Sequence, residues 1–230
     1  MGAMTRRGEH AWAVTPAEAV AIQERLRGRV RLRDGRSPFR TVGGMDISYD
    51  RGSPWLFAAV VVLSLPDLRL IDAAAVRARG AFPYIPGLLS FREAPAGLEA
   101  WARLRVRPDC LLCDGHGVAH PRRFGLACHV GLLVDRPTLG CAKSLLVGEH
   151  GRLESARGSQ AALCHAGEEV GRAVRTRAGV RPIYVSAGHR ISLKRAVATL
   201  LAVTPRFRIS EPLRQAHLLV NRLRTADAGH

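Results

Sequence analysis

The chain of 230 residues has little lysine, few aromatic side chains and little negative charge. Lysine occurs only as Lys143 and Lys194, and aromatic residues make up 5% of the chain. Acidic residues number 19 against 35 basic ones, which gives a formal net charge of +16 at pH 7. Such an excess is typical of proteins that meet a polyanion, so nucleic acid is the first partner to consider; a basic surface with no further purpose is the alternative.

Long hydrophobic runs and a disulfide framework are also absent. The longest apolar stretch, residues 56–65, is about half as long as a membrane span needs to be. Five cysteines are an odd set for a chain of this length, and the context of Cys110 and Cys113 favours buried thiols over a zinc site. We therefore expect a soluble, cytoplasmic protein with reduced thiols and no membrane partner.

The remaining composition, 47% hydrophobic and 23% charged, is that of a globular protein and excludes a disordered tail, a coiled coil or a collagen-like fibre. Thr15 to Glu18 form a capping box that predicts a helix to about Gly28. A three-strand meander is predicted at 41–49, 56–65 and 68–76. The later predictions are helices at 96–106, 121–134, 192–203 and 212–223, strands at 110–113, 139–147, 169–175 and 183–186, and a loop at 148–167.

This order predicts an α/β fold: a mixed sheet in which an antiparallel meander is followed by strands that alternate with helices. No repeat or linker divides the chain, so residues 1–230 are expected to form one domain. The termini, 1–10 and 226–230, are expected to be flexible.

Carboxylates stand out in two apolar strands. Asp46 lies inside the first strand, where a charge is costly unless a cation compensates it, and Asp114 ends the strand at 110–113. If these strands are neighbours, the pair forms a hard-cation site suited to Mg²⁺ or Mn²⁺. The alternatives are a buried arginine as partner of Asp46, and a turn or helix cap at Asp114.

Glu93 is the third acidic candidate. Pro95 fits the first turn of a helix that begins there, which places Glu93 in a loop or at the helix mouth, free to bind a metal. Upstream, the stiff two-proline loop around Tyr84 presents an aromatic ring that is suited to stacking on bases or wedging between them. A core tyrosine in a turn is the alternative for Tyr84.

Basic residues and histidines follow the acidic ones. His120 and Arg122 precede a predicted helix, and a helix N-terminus beside arginines is a natural phosphate seat. Lys143 could meet a phosphate or offset the carboxylates. His217 flanks the apolar stripe of the last helix, where a histidine is more often part of the core.

Seven segments of the chain, in this order, resemble the endonuclease V family, the deoxyinosine-directed nucleases of the RNase H-like superfamily. The segments are GMDISY at 44–49, PYIPGLLSFRE at 83–93, DGHGVAHP at 114–121, GLACHVG at 125–131, GCAKS at 140–144, VSAGHRIS at 185–192 and EPLRQAH at 211–217. The resemblance implies an RNase H-like mixed sheet flanked by helices. The first 40 residues carry little of it.

The resemblance also implies a role for each matched residue. The acidic metal ligands would be Asp46, Glu93 and Asp114, and His217 falls where members carry Asp or His. His120 and Lys143 match residues linked to catalysis near the scissile phosphate, which completes the implied catalytic set. The substrate-binding positions would be the wedge Tyr84 with its neighbours Pro83 and Ile85, then Gly87, Leu88 and Gly117 near the base pocket, and Arg122.

The implied activity is Mg²⁺-dependent phosphodiester hydrolysis, with Mn²⁺ as a substitute. The cut would fall at the second phosphodiester 3′ to inosine in DNA, or in RNA, during repair of deaminated adenine, and the enzyme would act as a monomer. Two alternatives stay open. One is a structure-specific RNase H-like nuclease, and the other is a non-catalytic binder of distorted nucleic acid. Three acidic residues facing phosphates argue against the second, because a protein that only binds gains nothing from them.

Overall fold

The computed structural model describes residues 10–50 and 52–228, so most of the termini expected to be flexible, 1–9 and 229–230, lie outside the described residues. The helices are α1 (Pro16–Arg27), α2 (Leu89–Arg103), α3 (Leu126–Val134), α4 (Leu193–Ala202) and α5 (Glu211–Ala228). The strands are β1 (Thr41–Ser48), β2 (Trp55–Ser64), β3 (Leu70–Arg79), β4 (Cys110–Cys113), β5 (Thr138–Ala142), β6 (Glu149–His150), β7 (Gln160–His165), β8 (Glu168–Val174) and β9 (Ile183–His189). In this part of the chain no helix is long and apolar enough to cross a membrane.

Over the described residues the strands form one sheet in the order β3-β2-β1-β4-β5-β9-β8-β7-β6. β1, β2 and β3 pair antiparallel, which confirms the predicted meander. β4 pairs parallel to β1 and β5 pairs parallel to β4, so the sheet changes from antiparallel to parallel at β1. The predicted mixed α/β sheet is therefore confirmed, and β9, β8, β7 and β6 extend it by antiparallel pairing.

Two hydrophobic clusters fill the two faces of the sheet. β4 shows the alternation: Leu111 and Cys113 join the cluster under α2 and α3, whereas Cys110 and Leu112 join the one under α4 and the start of α5. Because both faces are covered, the central strands are near-continuous apolar runs. All the cysteines are free, as predicted, and burial raises the pKa of the Cys110 and Cys113 thiols, which keeps them protonated and unreactive.

Helix α2 starts earlier than predicted, at Leu89 instead of residue 96, and carries Pro95 in its interior. An interior proline removes one backbone hydrogen bond and costs about 3 kcal/mol. Burial of the apolar face of α2, from Phe91 to Trp101, outweighs that cost. The prediction for Glu93 was therefore wrong: it lies inside a helix, not in a loop or at a helix mouth.

Helix α3 starts later than predicted, at Leu126 instead of residue 121. Arg123 has a φ of 57°, and a Cβ on Gly125 would lie 2.4 Å from the carbonyl oxygen of His116, so the chain makes a turn before the helix can begin. Arg122 consequently does not stand at a helix N-terminus, contrary to the predicted phosphate seat.

Two strand predictions also need correction. β5 ends at Ala142, not at residue 147, and the predicted loop 148–167 contains β6 and β7. Residues 166 and 167 have φ values of 55° and 78°, a tight turn that folds β7 back onto β8. Pairing with β8 makes β7 a strand even though its small residues give a weak local signal.

Candidate active site

The carboxylates of Asp46 and Asp114 come together because β1 and β4 are parallel neighbours. Met45 lies opposite Cys113 in the ladder, and the backbone N–H of Asp114 donates to the carbonyl of Met45 at 3.3 Å. Asp46 and Asp114 are the next residues on these two strands, so they lie side by side at the same end of β1 and β4. Asp46 is buried at 4% exposure, whereas Asp114 is partly open to the surface.

Glu93 reaches the same region from α2 and is buried at 7% exposure. Burial raises its pKa well above the usual range, and the charges of Asp114 and Asp46 raise it further, while a hydrogen bond from Tyr49 opposes the shift. Burial likewise raises the pKa of Asp46 to about 6, with Asp114 as the second cause. The three carboxylates thus share one region of concentrated negative charge.

Lys143 is the cationic partner of Asp114. It follows β5 directly, and its Nζ forms an ion pair with Oδ2 of Asp114. The guanidinium of Arg208 donates to the Lys143 carbonyl at 3.2 Å and to the Pro182 carbonyl at 2.8 Å, which ties the lysine backbone to the start of β9. Asp114 is therefore paired with an ammonium group rather than acting as a turn cap.

His217 lies beside Asp46, with its Nδ1 2.9 Å from Oδ2 of the carboxylate. Its other nitrogen, Nε2, is 2.9 Å from the side-chain amide nitrogen of Asn221, one turn later on α5. The side chain of His217 is 54% exposed, while Leu213 and Val220 on the same helix face the core. The core-histidine interpretation is therefore wrong, and a histidine, not a buried arginine, is the partner of Asp46.

The chemistry of these donors fits a hard divalent cation. They are carboxylate oxygens, the ligands that such ions prefer, and their mutual repulsion would be relieved by a positive charge between them. Among the described residues, however, no three histidine, cysteine or acidic side chains converge as a ready-made metal cage. Lys143 and His217 occupy oxygens of Asp114 and Asp46, respectively.

A cavity of about 320 Å³ opens next to the carboxylates, and both Asp114 and its partner Lys143 line it. Its other lining residues include Gln23, Tyr84, Gly87, Gly115, His116, His120 and Leu145. Tyr84 is 62% exposed, so it is not a core tyrosine, and Pro83 beside it is exposed as well.

The other predicted pocket residues lie around this cavity rather than in its wall. Ile85 and Leu88 pack with Phe91 in a small apolar cluster. Gly117 lies against β9, where a Cβ would be 2.0 Å from the carbonyl oxygen of Ala187. Close backbone packing is therefore the reason for a glycine at position 117.

His120 and Arg122 turn towards the loop at Gly87. The His120 ring is 3% exposed, its Nε2 donates to the Gly87 carbonyl at 2.8 Å, and its Nδ1 accepts from the Arg122 backbone N–H at 3.2 Å. Burial lowers the pKa of His120 to about 4, so the ring is neutral at pH 7. The Arg122 guanidinium donates to Gly87 and to Gln23.

Three residues of the site were missed in the sequence, although two of them leave a signal there. Gln23 is a polar residue on the buried stripe of α1, between Ala19 and Leu26. Asn221 follows His217 by four residues on a helix, the spacing that brings side chains together. Tyr49, the partner of Glu93, comes from β1 and α2 packing together, which no local pattern reveals.

Comparisons with known proteins relate this chain to one family. The family model for endonuclease V matches residues 24–218. The curated endonuclease V of Roseiflexus castenholzii is 52% identical over 213 residues, which cover 93% of this chain and 95% of the relative. The crystal structure of endonuclease V from Streptomyces avermitilis superposes with a TM-score of 0.90 at 42% identity, covering 99% of this chain and 100% of that one.

A more distant structure includes nucleic acid. Endonuclease V of Ciona intestinalis, in complex with a 24mer DNA containing an inosine followed by a ribo-adenosine, has a TM-score of 0.81 at 28% identity. That match covers 91% of this chain and 98% of the other. The family model and the relatives, matched over nearly their whole length, place this chain in the endonuclease V family.

Proposed function

We propose that this chain is a metal-dependent endonuclease that nicks DNA at the second phosphodiester 3′ to inosine and leaves 3′-hydroxyl and 5′-phosphate ends. The observation that carries the proposal is that Asp46 and Asp114 adjoin across β1 and β4, with Glu93 electrostatically coupled to both, beside a cavity whose lining includes the exposed Tyr84. Three acids near a bound phosphate weaken binding unless a cation joins them, so the arrangement suits hydrolysis better than binding alone.

The cavity supports a flipped base as its occupant. It is lined by backbone at Gly87 and Gly115 and by neutral, buried His120, and it is walled by apolar residues such as Leu145 and Leu146. A cavity with such a lining can hold a planar, uncharged base that has been flipped out of the stack. Inosine is the base proposed, because the Ciona intestinalis relative was crystallised with inosine-containing DNA.

The position of the cut is supported by the offset between cavity and carboxylates. Asp114 and Lys143 line the cavity, whereas Asp46 and Glu93, which interact electrostatically with Asp114, do not. A base in the cavity would therefore leave a neighbouring phosphate, not its own, next to the acidic cluster.

We assign Asp46 and Asp114 as ligands of Mg²⁺, for which Mn²⁺ can substitute, with Glu93 as the third acid. When bound, such an ion polarises the phosphate and activates water. Lys143 holds its ammonium at Asp114, where it can pair with a phosphate oxygen and offset the developing charge. His217 orients the Asp46 carboxylate through its Nδ1 hydrogen bond.

A structure-specific nuclease is the competing function, since it would share the acids and the basic surface. The deciding experiment compares an inosine-containing strand with its adenine twin, as single- and double-stranded DNA and RNA, in Mg²⁺ and in chelator. Cleavage of the inosine strand alone, abolished by chelator, is expected. Equal cleavage of both strands at a junction or flap would support the competitor.

For the whole chain, we propose one catalytic domain that acts as a monomer in the cytoplasm. The free thiols, of which only Cys164 is exposed, support a reducing compartment. Light scattering on the purified protein tests the monomer, which predicts the mass of one 25.0 kDa chain.

A further inference from the structure

Gln23 is a polar side chain in the buried face of α1, with 0% of its surface exposed. It precedes the first residue matched by the family model and still lines the cavity. Its Nε2 donates to the carbonyls of Gly87 at 3.0 Å and Phe124 at 3.3 Å, and its Oε1 accepts from Nε of Arg122 at 2.5 Å. One buried amide therefore joins α1 to two segments of the site, the turn at Gly87 and the loop from Arg122 to Phe124.

The Gly87 carbonyl is the common acceptor of this network. Besides Gln23, it accepts from Nε2 of His120 and from Nη2 of Arg122, each at 2.8 Å. The N–H of the same peptide group, on Leu88, donates to the Ile85 carbonyl at 2.9 Å. The peptide is thus held from both sides, in a turn that requires glycine because φ is +80° at position 87.

This anchored turn is the base of the loop that presents Tyr84. The tyrosine ring is 62% exposed, so its own packing does little to fix it. Helix α1 supports both flanks of the loop, because Ala19 packs with Phe82 and with Leu88. A side chain that separates stacked bases works against an unstacking cost of a few kcal/mol per step. The loop must therefore be held in place if Tyr84 is to keep two stacked bases apart.

We propose that Gln23 is a positioning residue that, through Gly87 and Arg122, holds the Tyr84 loop against α1 while the duplex is opened. The inference rests on the proposed function and deepens it. Its effect is larger on duplex substrates, where bases must be unstacked, than on single strands, where the loop has nothing to separate. Arg122 acts in the same network, because its guanidinium is engaged by Gln23 and Gly87.

Two substitutions test the inference. Gln23→Glu keeps an oxygen for Arg122 but removes both N–H donors, and Gln23→Met removes every hydrogen bond at a similar side-chain length. The control is Leu26→Ala, which loosens the same helix where it packs on Phe124 and Cys128 without touching the loop. Each variant is assayed for kcat/KM on an inosine-containing duplex and on the same strand alone.

Both Gln23 variants should lose about tenfold more in kcat/KM on the duplex than on the single strand, the scale of one buried hydrogen bond left unmade. In the Tyr84→Ala background the loss on the duplex should vanish, because the two residues act as a unit. Leu26→Ala should reduce activity on both substrates alike, if at all. Equal losses on both substrates, or losses that add to that of Tyr84→Ala, would overturn the inference.

A binding measurement separates this inference from the proposed function. The fluorescence of a 2-aminopurine placed next to inosine increases when that base is unstacked. The measurement is made in EDTA, so it reports unstacking without cleavage. At saturating protein, the wild type should increase the fluorescence of the duplex probe, and Gln23→Glu should increase it less. Brightening in wild type without cleavage in Mg²⁺ would refute the nuclease while leaving Gln23 tested by the probe. Equal brightening by wild type and Gln23→Glu, or none by either, would refute the role of Gln23.

Discussion

His217 donates a hydrogen bond from Nδ1 to Oδ2 of Asp46 over 2.9 Å while its Nε2 accepts one from the amide of Asn221. An amide nitrogen only donates, so Nε2 of the imidazole must be the unprotonated nitrogen. Both ring nitrogens are thereby engaged in hydrogen bonds. In this arrangement His217 orients the Asp46 carboxylate.

His217→Ala should therefore lose about 10- to 100-fold in activity or metal affinity, the usual cost of losing an outer partner of a ligand. His217→Asp should keep substantial activity, because the resemblance implies that either Asp or His serves at this position. Both variants should melt close to the wild-type temperature, because the side chain is 54% exposed and neither substitution buries a charge. Steady-state cleavage and thermal melts check this, with the exposed neighbour Leu218→Ala as control. An unstable Asp variant beside a fully active Ala variant would remove His217 from the site.

Asp46→Asn and Asp114→Asn should abolish turnover while binding of inosine DNA stays intact or tightens. Each substitution removes an oxygen ligand and a negative charge that repels phosphate, yet preserves side-chain shape. Asp67→Asn is the matched control, since Asp67 is exposed and is paired only loosely with Arg69. Cleavage rates and gel-shift affinities in Mg²⁺ measure both properties. Mg²⁺-dependent cleavage at the wild-type rate in either active-site variant would contradict the assignment.

Tyr84→Ala should weaken cleavage of an inosine duplex more than that of the single strand, because a wedge matters only where bases are stacked. The protein should remain folded, since the ring is 62% exposed. Trp55→Ala, at an aromatic residue that does not line the cavity, is the control. Equal losses on the two substrates would make Tyr84 a packing residue.

His129 makes stability fall in acid. It is fully buried, with Nδ1 3.0 Å from the Ser90 hydroxyl and Nε2 2.7 Å from Nε2 of His10. Burial, and then His10, lower its pKa well below the usual range, whereas the unfolded histidine titrates near ~6.5. Below that pH the unfolded chain binds the extra proton, so unfolding becomes easier as pH drops.

His129→Gln should flatten this dependence by up to ~1.4 kcal/mol per pH unit below pH ~6.5, the limit for one proton. The raised pKa of Asp46 acts in the opposite direction, so only the difference between variant and wild type isolates His129. Urea unfolding from pH 7.5 to pH 5 gives that difference, with His150→Gln on edge strand β6 as control. Parallel pH curves for wild type and His129→Gln would contradict the account.

The adjacency of Asp46 and Asp114 could be predicted, because each ends or interrupts a strongly apolar strand and parallel strands align their ends. Glu93 was predicted to lie in a loop or at a helix mouth, whereas it reaches the region of Asp46 and Asp114 from inside α2. Pro95 signals a helix start locally, and only the burial of α2 against β2 and β3 reveals a helix that tolerates it.

The network around Gln23 lay beyond prediction for a different reason. A buried glutamine on an amphipathic helix indicates a satisfied amide, but its acceptors at Gly87 and Phe124 are 64 and 101 residues away along the chain. Long-range pairing of this kind is decided by how α1 docks, which the local pattern does not specify. The strand β7 was missed for a more local reason: its small residues give a weak strand signal, and pairing with β8 across the tight turn defines it.

Asp46 and Asp114 are proposed to catalyse cleavage of a strand whose inosine is held in the adjoining cavity. The most direct measurement uses a 5′-labelled duplex with a single inosine, resolved to one nucleotide after incubation in Mg²⁺. We expect one product, ending in a 3′-hydroxyl at the second phosphodiester 3′ to inosine, with no product from the adenine twin or in EDTA. Equal cleavage of the twin, or cleavage that persists in EDTA, would contradict it.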